Sequence, residues 1–113
     1  MNLTTARNKD VSVVRVNETR LMYPILGEFA NTIISLIGSG ERKLLLDLSH
    51  VTYVDSATIG CFMDLYRQAS AAGAALKLSG VQKRVETMLT MTGAQNFLEI
   101  HADEASALKS FGA

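Results

Sequence analysis

Short apolar runs along the chain alternate with longer segments in which apolar residues recur every three or four positions. The runs have the length of β-strands, and the longer segments have the period of amphipathic helices. Predicted strands lie near residues 11–16, 43–49, 75–79 and 97–100, and predicted helices near 26–38, 57–72, 82–92 and 103–111. This alternation predicts an α/β fold in which parallel strands are joined by right-handed crossovers.

The segment 43–49 is the most continuous apolar run and is interrupted only by Asp47. Such a run is typical of a central strand that is covered on both faces, so an exposed edge position would contradict this interpretation. Asp47 is expected to accept hydrogen bonds from nearby loop amides. In the helix that follows, the predicted core positions are Ile59, Phe62, Met63, Tyr66, Ala69 and Ala72.

Length and composition indicate one soluble globular domain over residues 1–113, with 48% apolar and 19% charged residues. Residues 1–10 are expected either to be flexible or to add a short strand near 2–5. The formal net charge is zero, so the basic surface of a nucleic-acid-binding protein is absent. The N-terminus does not have a signal peptide pattern, and no apolar run is long enough to span a membrane. A single cysteine favours a reducing cytoplasm.

The polar pair Asp55-Ser56 lies where the predicted central strand passes into a helix. Carboxyl ends of parallel strands are the usual place for binding sites in open α/β sheets. Asp and Ser are also preferred helix N-caps, which a strand-to-helix turn can use for stability alone. From the residues alone, both a functional and a capping role remain open for this pair.

Residue patterns typical of enzymes are missing. Ser56 does not have the preceding glycine of a nucleophile elbow, and the two histidines are in no recognisable motif. One cysteine and scattered acids provide no metal-ligand spacing, and the glycines at 38–40 are not a phosphate-binding loop. Cys61 could be a redox thiol in the first helical turns, but a packed structural cysteine is the favoured interpretation. We therefore expect no catalytic residues, metal or cofactor.

The segment from about 43 to 101 resembles the STAS domain family, the anti-sigma factor antagonists of bacteria. Members carry a hydrophobic strand, an Asp-Leu-Ser-x-Val motif, an Asp-Ser-[Ser/Thr]-Gly-Leu-Gly loop and an amphipathic helix. A glycine before the next strand and a Leu-x-x-x-Gly motif follow. The matching positions are Asp47-Leu48-Ser49-x-Val51, Asp55-Ser56, Gly60, Gly73 and Leu89-x-x-x-Gly93. The resemblance implies a STAS-like domain with about four or five mostly parallel strands and about four helices.

The resemblance also implies regulation by exchange of protein partners. In family members, the serine at the position of Ser56 is phosphorylated by a serine kinase that is also an anti-sigma factor, and a serine phosphatase reverses the modification. The implied partner-binding loop and helix start are Asp55, Ser56, Ala57, Thr58, Ile59 and Gly60. We expect Ser56 both to cap the helix and to accept phosphate, so that Ser56→Ala loses a cap worth about 0.5–2 kcal/mol.

Three positions depart from the family pattern. Ala57 stands in place of the second Ser/Thr, and Thr58 in place of glycine, which makes Thr58 a rival phosphate acceptor. Met22 stands where relatives often carry an acid in the first connection. Two alternatives remain: a STAS-like subunit of a lipid or solute transport complex without a phosphorylation switch, and a small-ligand-binding or nucleotide-binding domain.

Overall fold

The computed structural model describes residues 1–112. In chain order the elements are β1 (Leu3–Asn8), β2 (Val11–Val16), β3 (Arg20–Leu21), α1 (Tyr23–Gly38), β4 (Lys43–Asp47), β5 (Tyr53–Val54), α2 (Ser56–Ala71), β6 (Ala75–Ser79), α3 (Lys83–Thr92), a 3-10 turn (Ala94–Asn96), β7 (Glu99–His101) and α4 (Glu104–Ser110).

The main sheet has five strands in the order β1-β2-β4-β6-β7. β1 is antiparallel to β2, and the other three neighbouring pairs are parallel. The central position of β4 confirms the prediction from its apolar run, and Leu44, Leu45 and Leu46 are all fully buried. Of the two possibilities left open for residues 1–10, the structure has the additional strand, which extends over Leu3–Asn8.

The core has two unequal parts, one on each face of the sheet. α1, α2 and α3 cover the larger face, where Phe29 and Phe62 meet edge to face with their ring centroids 5.9 Å apart. α4 covers the other face, where Ala107 and Phe111 pack against Leu45 and its neighbours on β2. β4 contributes side chains to both parts, and so does β2, whose Val14 and Val16 belong to the larger part and whose Val11 and Val13 belong to the smaller one.

Asp47 occupies a polar place at the end of β4, as expected. Its Oδ1 accepts a hydrogen bond from the Ser49 amide at 2.9 Å, and its Oδ2 lies 3.5 Å from Nε of Arg15 on the neighbouring strand. The core stripe of α2 differs from the prediction at three positions. Leu65, which is only 1% exposed, and the fully buried Thr58 belong to it, whereas the predicted Ala72 is the partly buried C-cap residue. Met63 and Tyr66 are only partly buried at its margin.

Two features of the architecture differ from the predictions. The strand expected near 97–100 begins at Glu99, because the chain makes a 3-10 turn after Gly93, whose φ of 78° is left-handed. Phe97 is consequently 58% exposed. The short parallel pair of β3 and β5 was not predicted, because each strand has only two residues.

Gly80 holds the start of α3 close to the loop that follows β4. Its φ is +68°, and a Cβ at this position would lie 2.9 Å from the Cβ of Ser49. Next to it, Nε2 of Gln82 donates a hydrogen bond to the Ser49 carbonyl at 2.7 Å. The close approach available only to glycine therefore fixes α3 beside the segment that leads into α2.

Candidate functional site

The β3–β5 pair brings the starts of α1 and α2 together. Arg20 and Leu21 lie in register with Tyr53 and Val54, and the Thr52 amide donates to the Thr19 carbonyl at 2.8 Å. Each of these strands ends within two residues of the helix that follows it. The loop singled out from the sequence therefore lies against the N-terminus of α1, which is more than thirty residues away along the chain.

Asp55 is the N-cap of α2 and also holds the first turn of α1. Its Oδ1 accepts a hydrogen bond from the Thr58 amide at 2.9 Å, and its Oδ2 accepts one from the Tyr23 amide at 3.0 Å. Met22, the N-cap residue of α1, provides no side-chain cap of its own. One carboxylate thus satisfies backbone donors at the ends of two helices, and the negative charge suits both helix dipoles.

Thr58 has the most enclosed hydroxyl of the loop. The residue is fully buried, and its Oγ1 lies 2.7 Å from the Leu21 carbonyl and 2.6 Å from Oδ1 of Asp55. The hydrogen bond from this hydroxyl is the main reason that the pKa of Asp55 lies below its ordinary value; partial burial opposes the effect, and the amides of Tyr23 and Thr58 add to it. An inward-facing hydroxyl with two acceptors argues against Thr58 as a phosphate acceptor.

Ser56 is not the helix cap, and that prediction was wrong. The cap is Asp55, with extended backbone angles, and Ser56 is the first residue of the helix. Asp55 takes the cap because its longer side chain reaches the Tyr23 amide as well as its own helix. Ser56 is exposed, as are Ala57 and Gly60, whereas Ile59 is only 4% exposed and packs into the core.

A cleft of about 550 Å³ opens beside Ser56, between the β5–α2 loop and α3. Tyr53, Val54, Asp55 and Ser56 line one side, and Arg84, Thr87 and Met88 line the other. The guanidinium carbon of Arg84 lies 5.5 Å from the centroid of the Tyr53 ring, and that of Arg20 lies 5.0 Å from it. Ser56 thus shares this cleft with Arg84, whereas Arg20 lines a neighbouring pocket together with Thr19, Thr52, Tyr53 and Arg84.

A second groove, between α1 and α2, includes Cys61. Tyr23, at its rim, is 74% exposed. Cys61 is partly buried, and its burial raises the pKa of the thiol, with Asp64 adding to the rise. The thiol is therefore protonated at neutral pH, which disfavours a reactive thiolate and supports the structural interpretation.

Arg20, Tyr53 and Arg84 were missed in the sequence because they come from three distant segments. No pattern in α3 suggested a site, and in the connection before α1 the resemblance singled out Met22 and not Arg20. Among the residues that the structure describes, no cluster of three or more His, Cys, Asp or Glu side chains is arranged to hold a metal ion. None of the helices described combines the length and the apolar character needed to cross a bilayer.

The family model for the STAS domain matches residues 2–107. The anti-sigma-B factor antagonist of Bacillus subtilis is 26% identical over 97 residues, which are 79% of this chain and 88% of the relative. A candidate anti-sigma factor antagonist of Thermotoga neapolitana, named as a TM1081 homolog, is 29% identical over 73 residues. That match spans 65% of each chain, just under two thirds of the relative.

Solved structures share the fold at lower identity. The crystal structure of a candidate anti-sigma factor antagonist from Thermotoga maritima has a TM-score of 0.88 at 21% identity and covers 96% of this chain and 92% of its own. The phosphorylated form of the Bacillus cell fate determinant SpoIIAA has a TM-score of 0.74 at 14% identity, with 97% and 99% covered. The mouse anion transporter Slc26a9 contains a similar domain, with a TM-score of 0.76 at 20% identity, over 88% of this chain and 17% of that one.

Proposed function

The chain belongs to the STAS domain family, and from that premise we propose that it is a regulatory protein of the anti-sigma factor antagonist type, controlled by phosphorylation of Ser56. In this proposal the unphosphorylated protein binds an anti-sigma factor that is also a serine kinase, and phosphorylation of Ser56 releases it. A serine phosphatase restores binding. The cycle takes place in the cytoplasm, and the domain has a regulatory role and not a catalytic one.

One observation carries the proposal: the residues that hold the loop are different from the residue proposed to accept phosphate. Asp55 and Thr58 make the hydrogen bonds that fix the start of α2, and the Thr58 side chain is fully buried. Ser56, between them, is exposed on the first turn. A modification at Ser56 can therefore change the surface without breaking the contacts that maintain the fold.

A phosphate on Ser56 would be tolerated by the domain itself and not by a partner packed on the loop. Phosphorylation adds about −1.5 to −2 charges and three acceptor oxygens. The first turn of a helix favours an anion, since its free amides and dipole are positive there. A partner surface over Ser56 and the adjacent Ala57 would have to bury that charge, which is costly without a matching cation. The relatives named as anti-sigma factor antagonists, and the SpoIIAA structure described as phosphorylated, support this assignment.

Binding measurements on three variants test the proposal. The titrant is a serine-kinase-type anti-sigma factor from the same organism, and binding is measured by calorimetry. Ser56→Ala should bind like the wild type and accept no phosphate. Ser56→Asp should bind at least about tenfold more weakly, which corresponds to about 1.4 kcal/mol of unfavourable charge in the interface.

Ser70→Asp is the matched control, because it makes the same chemical change on the exposed side of α2. It lies fourteen residues from Ser56, or about 21 Å along the helix. It should bind like the wild type. Equal affinities for Ser56→Ala and Ser56→Asp, or phosphate found by mass spectrometry on Thr58 and never on Ser56, would contradict the proposal.

A further inference from the structure

Two arginines from distant segments meet on one tyrosine next to Ser56. Arg20 comes from β3 and Arg84 from the first turn of α3, and both guanidinium groups lie over the Tyr53 ring, at 5.0 and 5.5 Å from its centroid. Both arginines are exposed. Stacking on an aromatic ring restricts a long side chain that would otherwise be mobile, so these two charges are held in place before anything binds to them.

Within residues 1–112 these two charges have no carboxylate partner. The salt bridges between side chains in that part of the chain use other cations, namely Arg7, Arg15, Lys43, Arg67, Lys77 and His101. Asp55 is the acid that lines the same cleft as Arg84, and its two oxygens are occupied by Thr58 and Tyr23. Two ordered positive charges therefore face solvent on one tyrosine, and one of them, Arg84, lines the same cleft as the exposed Ser56.

We propose that Arg84, assisted by Arg20, is the internal receptor for the phosphate on Ser56. This inference rests on the proposed function and adds to it a binding site for the phosphate monoester within the same molecule. The phosphate joins the start of α2 to the start of α3 across the cleft. Phosphorylation then changes the surface twice, because it adds a bulky dianion at Ser56 and neutralises the positive charge opposite it.

The chemistry of the pair fits a phosphoserine better than a carboxylate. Two guanidinium charges match the −1.5 to −2 charges of the phosphate dianion. The planar fork of arginine donates two parallel hydrogen bonds to phosphate oxygens, which a lysine ammonium cannot do. Arg84 and Ser56 line the same cleft from opposite sides. Because the serine already lies there, the phosphate loses little freedom when it binds.

The test uses the full chain with phosphoserine installed at position 56 by genetic-code expansion, so no kinase is needed. The pKa of the phosphate, ordinarily about 6, is followed by phosphorus NMR at 0.15 M salt. In the wild type we expect the pKa to lie below that value. Arg84→Gln should raise it by about 0.3–0.7 pH units, as expected for one solvent-exposed ion pair. Arg20→Gln should raise it by less.

Lys83→Gln is the matched control. It removes the same charge at the adjacent position, and the Lys83 side chain does not line the cleft. It should move the pKa by less than half as much as Arg84→Gln does. Arg84→Lys should recover only part of the wild-type value, because it restores the charge without the fork. Thermal unfolding checks that each variant is folded, as expected for exposed positions.

Equal shifts in Arg84→Gln and Lys83→Gln would overturn the proposal, since they would indicate only the general field of the surface. So would an unperturbed phosphate pKa in the wild type. Neither result bears on the calorimetry with the anti-sigma factor. Conversely, equal binding of Ser56→Ala and Ser56→Asp would overturn the switch and leave the titration of the installed phosphate unchanged.

Discussion

Asp55 provides the sharpest test of how the site is built, because one carboxylate holds two helices. Asp55→Ala removes the N-cap of α2, which costs about 1 kcal/mol at a typical cap. It also removes the hydrogen bond from the Tyr23 amide. A hydrogen bond to a charged group contributes about 1.5–3 kcal/mol when it is shielded, and we take about 1 kcal/mol here because this one is exposed to solvent. The expected loss is therefore about 2 kcal/mol, or about 8 °C in melting temperature.

Asp55→Asn separates the two contributions. Asparagine caps a helix about as well as aspartate, so its oxygen can keep the Thr58 amide. Its amide group is a donor and would face the Tyr23 donor, so that hydrogen bond is lost. Asp55→Asn should therefore lose about half as much free energy of unfolding as Asp55→Ala, measured by urea denaturation at pH 7.

Asp103→Ala is the control for the cap itself. Asp103 caps α4 with the same pattern, its Oδ1 accepting from the amide of Ser106 at 2.8 Å and from the hydroxyl at 2.9 Å. Unlike Asp55, Asp103 does not accept a hydrogen bond from the backbone of a second helix. Asp103→Ala should therefore cost less than Asp55→Ala. If the two variants lost the same stability, or if Asp55→Asn cost as much as Asp55→Ala, the two-helix role would be refuted.

The pH dependence follows from the lowered pKa of Asp55. A carboxylate whose pKa is lower in the folded state contributes stability that is fully present above its ordinary pKa of 3.8 and is lost as the pH falls through the folded value. The gap in stability between the wild type and Asp55→Asn should therefore be constant from pH 5 to 7 and should close below pH 3.8. An unchanged gap in urea denaturation at pH 2.5 would contradict this linkage.

Two further predictions concern the other polar groups of the loop. Thr58→Val should lower the free energy of unfolding by about 1–3 kcal/mol, because it leaves the buried Leu21 carbonyl without its donor. Phosphorylation of Ser56 should continue in this variant. If a folded Thr58→Val variant no longer accepted phosphate, Ser56 would not be the acceptor. Cys61→Ala should lose a small amount of stability and keep partner binding, and the thiol should react with Ellman's reagent more slowly than free cysteine at pH 7.5; fast labelling would revive the redox interpretation.

The sheet and its core could be predicted because their signals are periodic and local. The apolar run at β4 indicates a strand buried on both faces, and the chain provides helices for both. The same helical periodicity also places Thr58 on the buried face of α2. It stands four residues before Phe62 and seven before Leu65, on the face of α2 that turns to the core. A polar residue is not expected in the core unless its hydroxyl has a partner. The partner of Thr58 is the Leu21 carbonyl on β3, 37 residues upstream, which the local pattern does not indicate.

The cap and the arginine pair could not be predicted for a different reason. Asp and Ser are equally good N-caps, so the sequence cannot decide between the neighbouring residues Asp55 and Ser56. The difference of one residue is within the usual uncertainty of a helix end. The choice between them depends on the distant Tyr23 amide. Likewise, Arg20, Tyr53 and Arg84 are exposed or partly exposed and lie about thirty residues apart, and β3 and β5 have two residues each, too few for strand alternation to appear.

The arrangement of the two hydroxyls allows the modification that we propose at Ser56 to leave the loop folded. If Ser56 were the cap, its oxygen would accept a backbone amide, and phosphorylation would alter a contact on which the helix depends. Asp55 performs that role permanently with a charge of its own, and Thr58 closes the loop from inside. Ser56 is then free of structural duties. A phosphate on Ser56 would therefore affect only the surface, where it could bind Arg84 across the cleft or repel a docked partner. Because the hydrogen bonds that hold the loop come from Asp55 and Thr58, the switch that we propose at Ser56 requires only a change in surface charge and no change in fold.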